Sequence, residues 1–438
     1  MSGTAGNALL AFAVQSLLTR ALGVADYGRL AALVATATLF VPMVSQAVGW
    51  FWFDLYAREG AGARRWGAAA VRLTLLQSVV AIGLLACYVL LHPPAGLPAL
   101  ASVVAAAFLM LGPAVAEARA TRLQLEERYH ALGLWQMAVQ GGRMAVVLAL
   151  LAAGAVALPA VLMGYAAVGA LVLALSLPSV RRLAQGRALP AGAVGAPHAA
   201  GPSEPVGLGA CFRASLPFSL ATSFFLVYSQ AVVPLVEALL GPGEAAYYNV
   251  AYLLFTAAAM FPSVYYMKFM ASKIFRWWTH DRPMFVAAFH LGVAVHLVVG
   301  LVGALLLWSL APWLVPLLFG AKYVAAVAAT RILALGIPVR FVQHGYGSVL
   351  FSHEHIRRKI TYMGVAALAS LLLVMLLAPR FGAAGAAAAA VGSEAVLLML
   401  YAQGAARHVQ GIELRATFSP PALRAAWRLA LSHRGTAG

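Results

Sequence analysis

The chain has 438 residues, 63% of them hydrophobic and 10% charged, with a formal net charge of +17 and a mean hydropathy of +0.87. A soluble domain is roughly a quarter charged, so this composition excludes a water-soluble globular protein, which would lack the polar surface to dissolve it. The positive charge is not accompanied by a basic, aromatic-interleaved patch or by any nucleic-acid motif, and Lys and Arg in the cytoplasmic loops of a membrane protein account for it.

Uninterrupted apolar blocks predict about twelve membrane helices: Ala8–Leu22, Leu30–Tyr56, Gly67–Leu91, Leu97–Ala118, Leu132–Leu151, Ala157–Leu177, Phe212–Leu240, Ala245–Met270, Phe285–Leu310, Val324–Phe351, Ile360–Ala378 and Gly382–Ala406. The first is short for a ~30 Å hydrocarbon core at a rise of 1.5 Å per residue. Met1–Asn7 lacks the basic stretch of a cleaved signal peptide. Cys87 lies inside a block and Cys211 at the start of one, which offers neither a disulfide framework nor a metal-ligand spacing.

One pattern occurs twice. Residues 22–42 read LGVADYGRLAALVATATLFVP, and residues 240–262 read LGPGEAAYYNVAYLLFTAAAMFP. Each passes from Leu-Gly through a short acidic turn to a Tyr, an apolar run and a Pro. Tyr27 precedes Pro42 by the interval that separates Tyr247 from Pro262. Between the copies, Leu183–Ala210 contains RALPAGAVGAPHAAGPSEP, a composition that reads as a flexible linker. Repeat and linker together predict an all-α polytopic protein built as two six-helix bundles: residues 1–182, a cytoplasmic linker at 183–210, residues 211–408, and a basic tail at 409–438. The tail stretch PALRAAWRLALSH is either a basic amphipathic helix on anionic lipid or unstructured.

With both termini in the cytoplasm, the inside segments hold 20 Lys and Arg and the outside loops 4, the latter being Arg20, Arg29, Lys322 and Arg380. That asymmetry fits an even number of spans with both ends inside.

The stretch RALGVADYGRLAAL resembles the start of Wzx-type polysaccharide-biosynthesis transporters, which are lipid-linked oligosaccharide flippases of the MOP exporter superfamily. LGPGEAAYYNVAYLLF at 240–255, LFGAKYVAAVAATRILALGIP at 318–338 and APRFGAAGAAAAAVGSEAVLLML at 378–400 fit the same family. The resemblance implies two bundles around a central cavity and no catalysis. It implies alternating-access translocation of an undecaprenyl-pyrophosphate-linked repeat unit of O-antigen, capsule or exopolysaccharide. The setting would be the bacterial inner membrane, with membrane lipids, a glycan polymerase and export machinery as partners, and without nucleic acid, metal or cofactor. The alternative within the superfamily is a MATE-like cation-coupled antiporter, which needs an acidic site. A MurJ-type lipid II flippase shares the scaffold but usually has two further helices. A membrane glycosyltransferase needs larger loops than VADYG or GPGEAA.

A cavity for a pyrophosphate needs cationic groups within the spans, where charge is costly and faces a cavity or a partner. Gln136, Gln140 and Arg143 share one helical face, as do Arg340, Gln343, His344 and Ser348 behind Pro338. The functional reading is a phosphate clamp by Arg143 and Arg340; the bland reading is an Arg paired with a carboxylate such as Glu237, or snorkelling. Arg20 is either a cavity residue or an interfacial anchor. Arg72, Arg213 and Lys268 read as snorkelling residues, and Arg331 is open. Asp54, Glu237 and Glu394 are the coupling candidates, with Asp54 placed for a structural pair with a nearby Arg. His290 and His296 are either proton relays or buried packing residues. Thr38, Ser45, Gln46, Ser219, Ser223, Tyr228 and Tyr265 are polar groups for a wet cavity, although such Ser and Thr often bond their own backbone. Pro42, Pro113, Pro217, Pro234, Pro262 and Pro338 predict helix kinks.

Overall fold

The computed structural model describes residues 2–45, 48–92, 96–185, 187, 204–260, 282–350, 356–408 and 412. Gln46, Pro262, Tyr265, Lys268, most of the linker and the tail lie outside them. Among the described residues the regular structure is helical: α1 (Ser2–Ala21), α2 (Val24–Ser45), α3 (Val48–Glu59), α4 (Arg64–Leu91), α5 (Ala99–Leu125), α6 (Tyr129–Ala152), α7 (Leu158–Ala184), α8 (Leu208–Gln230), α9 (Val232–Leu240), α10 (Pro242–Ala258), α11 (Arg282–Phe319), α12 (Ala326–Val349) and α13 (Ile356–His408). α13 is two arms joined at Gly382, where the backbone leaves helical geometry. Taking α2 with α3, α8 with α9, and the arms of α13 separately gives twelve segments, in the order of the twelve apolar blocks. Nine helices among the described residues are long and apolar enough to cross a membrane. The chain is a multi-pass membrane protein.

Two boundaries depart from expectation for identifiable reasons. The first helix is not short: α1 starts at Ser2 and has 20 residues, about 30 Å at the helical rise. Its first turn is small and polar, SGTAGN, so hydropathy alone missed it. The block Phe212–Leu240 is not one helix but breaks between Gln230 and Val232. Pro234 causes the break rather than kinking a helix interior. Having no N–H, it cannot bond the carbonyl four residues back, that of Gln230, and it opens α9 in its first turn. Pro42, Pro113, Pro217 and Pro338 do lie inside helices.

The duplicated element is a pair of turns. Ala21 ends α1 and Val24 begins α2, while Leu240 ends α9 and Pro242 opens α10. Gly241, at φ 92°, makes the second turn in a backbone region that side chains avoid. Tyr27 is fully buried and its hydroxyl donates to Gln15 on α1 at 3.0 Å. Tyr247 instead sits edge-on to Tyr323, with ring centroids 6.2 Å apart.

By packing, the chain forms two compact units, Met1–Glu237 and Ala238–Gly438. In the first, α5 and α7 approach at glycines: a Cβ on Gly112 would stand 2.8 Å from the Gly169 Cα. α8 packs there too, on α2, α3 and α4, so the packing boundary falls after α8, whereas the repeat and the linker fall before it. In the second unit α12 lies between α11 and α13, and Gly336 lets it close on Val391 and Phe255.

Candidate functional site

In a chain this apolar, a polar side chain away from helix ends needs a partner or a purpose. The second unit contains a cluster of them. Gly336 and Val391 bring α12 against the second arm of α13. One turn further along each helix stand Arg340 and Glu394, whose Nη2 and Oε1 are 2.5 Å apart. Both are buried, Arg340 at 9% and Glu394 at 3% exposure. The guanidinium also lies 4.7 Å from the Phe255 ring centroid, and the Tyr252 hydroxyl is within hydrogen-bonding reach of it. Tyr248, Tyr252 and Phe255 form one face of α10; Tyr248 and Tyr252 stack at 5.8 Å and 19°. Glu394 Oε2 and the Tyr248 hydroxyl are buried without a hydrogen-bond partner among the described residues. Gln343 is buried and His344 half-buried on the turn after Arg340. Beyond them Lys359 donates to the Gly347 carbonyl at 3.1 Å and lies over Tyr401.

The first unit contains a cation of different standing. Arg143 is half-buried midway along α6, 5.1 Å from the Tyr165 ring centroid on α7. It forms no ion pair among the described residues. Gln136 and Gln140 continue its face, also half-buried. The Tyr165 hydroxyl is buried without a hydrogen-bond partner among the described residues.

The remaining candidates are engaged elsewhere. Asp54 pairs with Arg58 at 2.8 Å along α3. Glu237 accepts a hydrogen bond from the Tyr88 hydroxyl at 2.9 Å; it pairs with no arginine among the described residues. Arg20 is exposed in the last turn of α1, where a cation complements the helix dipole. Arg72 and Arg213 are exposed, and Arg331 donates to the Trp308 carbonyl while stacking 4.7 Å from its ring. His290 and His296 are buried on α11, and His296 Nδ1 meets the Gly292 carbonyl at 2.7 Å. Thr38 bonds its own backbone at Val34.

Sequence reasoning missed Tyr165, Tyr248, Tyr252 and Lys359. The spacing of Tyr248, Tyr252 and Phe255, directly after the repeated turn, was a signal for the aromatic face. Nothing in the spacing of residues on different helices signalled that Arg340 and Glu394 meet.

No family model and no curated protein sequence matches the chain. Among solved structures it is similar to a lipid II flippase MurJ in an inward closed conformation, with 12% identity and TM-score 0.64 over 98% of this chain and 92% of that one. It is also similar to a multidrug resistance MATE family transporter of the MOP superfamily in an inward-facing conformation, with 13% identity and TM-score 0.63 over 92% of this chain and 94% of that one. A MATE transporter in complex with MaL6 aligns with 13% identity and TM-score 0.54 over 92% and 93% of the two chains. The chain has the all-helical fold of MOP/MATE-like transporters.

Proposed function

We propose that the protein is a flippase that moves a lipid-linked oligosaccharide, carried on undecaprenyl pyrophosphate, across the bacterial inner membrane by alternating access and without catalysis. The observation that carries this reading is Arg143. It is a half-buried guanidinium in mid-helix with no carboxylate paired to it among the described residues, on a fold otherwise found in a flippase and in transporters. A guanidinium binds phosphate oxygens in a two-pronged way, and flanking glutamines suit sugar hydroxyls. Arg340, being tied to Glu394, would meet a phosphate only by exchanging one anion for the other. A proton taken up by Glu394 as the phosphate arrives would balance that exchange and couple transport to protons. In this reading the two halves are the repeats on either side of the linker, both termini face the cytoplasm, and a glycan polymerase and export machinery take over the cargo outside.

The test is glycan export in cells that depend on this protein. Arg143→Ala abolishes export at unchanged membrane levels, and Arg143→Lys restores part of it. Unchanged export in Arg143→Ala overturns the reading.

The MATE-like antiporter is the second reading, favoured by the nearly equal likeness to that transporter. It requires a free carboxylate, and Glu117, exposed on α5 with no ion pair among the described residues, is the one to examine. Drug resistance conferred by the wild type and lost in Glu117→Gln would support it over the flippase.

A further inference from the structure

The end of the first unit where α5 stops, α6 starts and α7 stops carries more positive charge than orientation in a membrane needs. Arg119 and Arg122 occupy the last turns of α5, Arg128 the turn, and Arg181 and Arg182 the last turn of α7. Arg119, Arg128 and Arg182 all lie within electrostatic range of Arg122. Among the described residues one carboxylate forms ion pairs in this group: Glu126 Oε1 is 3.3 Å from Arg122 Nε, and its Oε2 is 3.7 Å from Arg128 Nη1. Glu117 and Glu127 are exposed and form no ion pair among the described residues.

Arg119 and Arg122 are built in rather than loosely displayed, whereas Arg128, Arg181 and Arg182 are exposed. Arg119 lies 4.2 Å from the Trp135 ring centroid, and its Nη1 donates to the Leu175 carbonyl at 2.8 Å. The Arg122 side chain is only 12% exposed. A two-bond turn fixes the spacing: Glu127 N bonds Gln124 O and Arg128 N bonds Leu123 O, with Glu127 at φ 56°. Yet the Nε groups of both Arg119 and Arg122 are buried without a hydrogen-bond partner among the described residues. The Arg122–Glu126 pair therefore has ion-pair distance but not hydrogen-bond geometry. Gathering four guanidinium groups around one carboxylate and leaving two buried donors unmet is costly twice over, by like-charge repulsion and by desolvation. An oxyanion placed among the guanidinium groups offsets the repulsion. The surroundings say how it arrives. Tyr129 is exposed at the start of α6, and Leu134 and Leu175 are exposed beside the cluster at 70% and 47%, a setting for acyl chains and an interfacial aromatic.

We infer that this cluster is a binding site for the phosphate group of a membrane lipid, held by Arg119 and Arg122 with Arg128 and Arg182 around it. The site is separate from Arg143 and does not depend on what is transported.

The test is binding to the full-length protein in detergent micelles, by native mass spectrometry and thermal shift. The probes are dioleoyl phosphatidic acid, dioleoyl phosphatidylcholine and inorganic phosphate. Phosphatidic acid binds saturably and raises the melting temperature; the other two do not at equal concentration. Arg119→Gln and Arg122→Gln each weaken phosphatidic acid binding about tenfold, whereas Arg64→Gln, exposed at the start of α4, leaves it unchanged. Should either cluster variant fail to fold, Glu126→Gln decides: removing the competing carboxylate tightens binding severalfold. Equal affinity in all variants, or an equal response to phosphatidylcholine, overturns the site. Displacement of phosphatidic acid by equimolar inorganic phosphate overturns its assignment to a lipid.

Discussion

At the scale of single residues, the Arg340–Glu394 pair shows how a membrane interior treats charge. Removing two ions from water costs several kcal/mol each, which their attraction repays only with good geometry and further hydrogen bonds. Arg340 has Phe255 and Tyr252 beside it, but Glu394 keeps one oxygen without a hydrogen-bond partner among the described residues. The pair is thus poorly suited to be a pure stability device, while either residue alone would be a stranded charge. Arg340→Leu is expected to lower stability by about 3–5 kcal/mol, and Arg340→Leu with Glu394→Leu to recover most of that loss. Thermal unfolding in detergent measures both. Additive losses would show that the two residues are not energetically coupled. If the pair serves transport, the stable double variant still fails to export glycan. Arg143 behaves differently: with a ring contact to Tyr165 and no ion pair among the described residues, Arg143→Ala costs about 1 kcal/mol, so its unfolding temperature moves little while export is lost. Both arginines were legible in the sequence as charges within apolar blocks. Which one is neutralised was not, because Glu394 lies on a different helix and its meeting with Arg340 depends on Gly336 admitting Val391.

At the scale of elements, most of the fold was written in the apolar blocks, because hydrocarbon forces every backbone N–H and C=O into helices. What hydropathy could not carry was the way helices end. The stretch APRFGAAG at 378–385 is a case in point. Gly382 adopts φ 61° and ψ −144°, a region open essentially to glycine alone. Immediately after it, the Ala383 N–H donates to Glu244 Oε2 at 2.6 Å. Glu244 thus satisfies a free donor at the start of the second arm of α13, where a negative charge also meets the positive end of the helix dipole. A Cβ at Gly382 would come within 2.7 Å of that carboxylate. Gly382→Ala should therefore cost about 2 kcal/mol, from backbone strain plus displacement of Glu244. Glu244→Ala should cost about 1 kcal/mol. Because the two act on one contact, their combination costs less than the sum, and unfolding curves of the three variants check this. The sequence offered the glycines of this turn but not Glu244, which belongs to the other end of the unit's chain, in the first turn of α10.

At the scale of the whole molecule, the proposed cargo fixes a prediction about driving force. A pyrophosphate head group leaving the cytoplasm carries negative charge outward, down the electrical gradient of a membrane that is negative inside. The potential contributes roughly 2.3 kcal/mol per charge per 100 mV, an upper bound of about 50-fold in rate for one charge crossing the full field. Protein charges that travel with the cargo reduce the net charge moved, and in the proposed reading Arg143 is such a charge. In proteoliposomes holding a fluorescent lipid-linked oligosaccharide, a potassium diffusion potential sets the sign and size of the field. Flipping toward the positive side is expected to accelerate with the potential, by less than the single-charge bound, and to slow when the potential is reversed. If Glu394 takes up a proton as the phosphate engages Arg340, an imposed pH gradient changes the rate at zero potential in the wild type. It does not in Arg340→Leu with Glu394→Leu. A rate indifferent to both potential and pH gradient would mean that no net charge crosses with the cargo. An anionic, lipid-linked substrate whose charge the protein leaves partly unbalanced cannot be reconciled with that result.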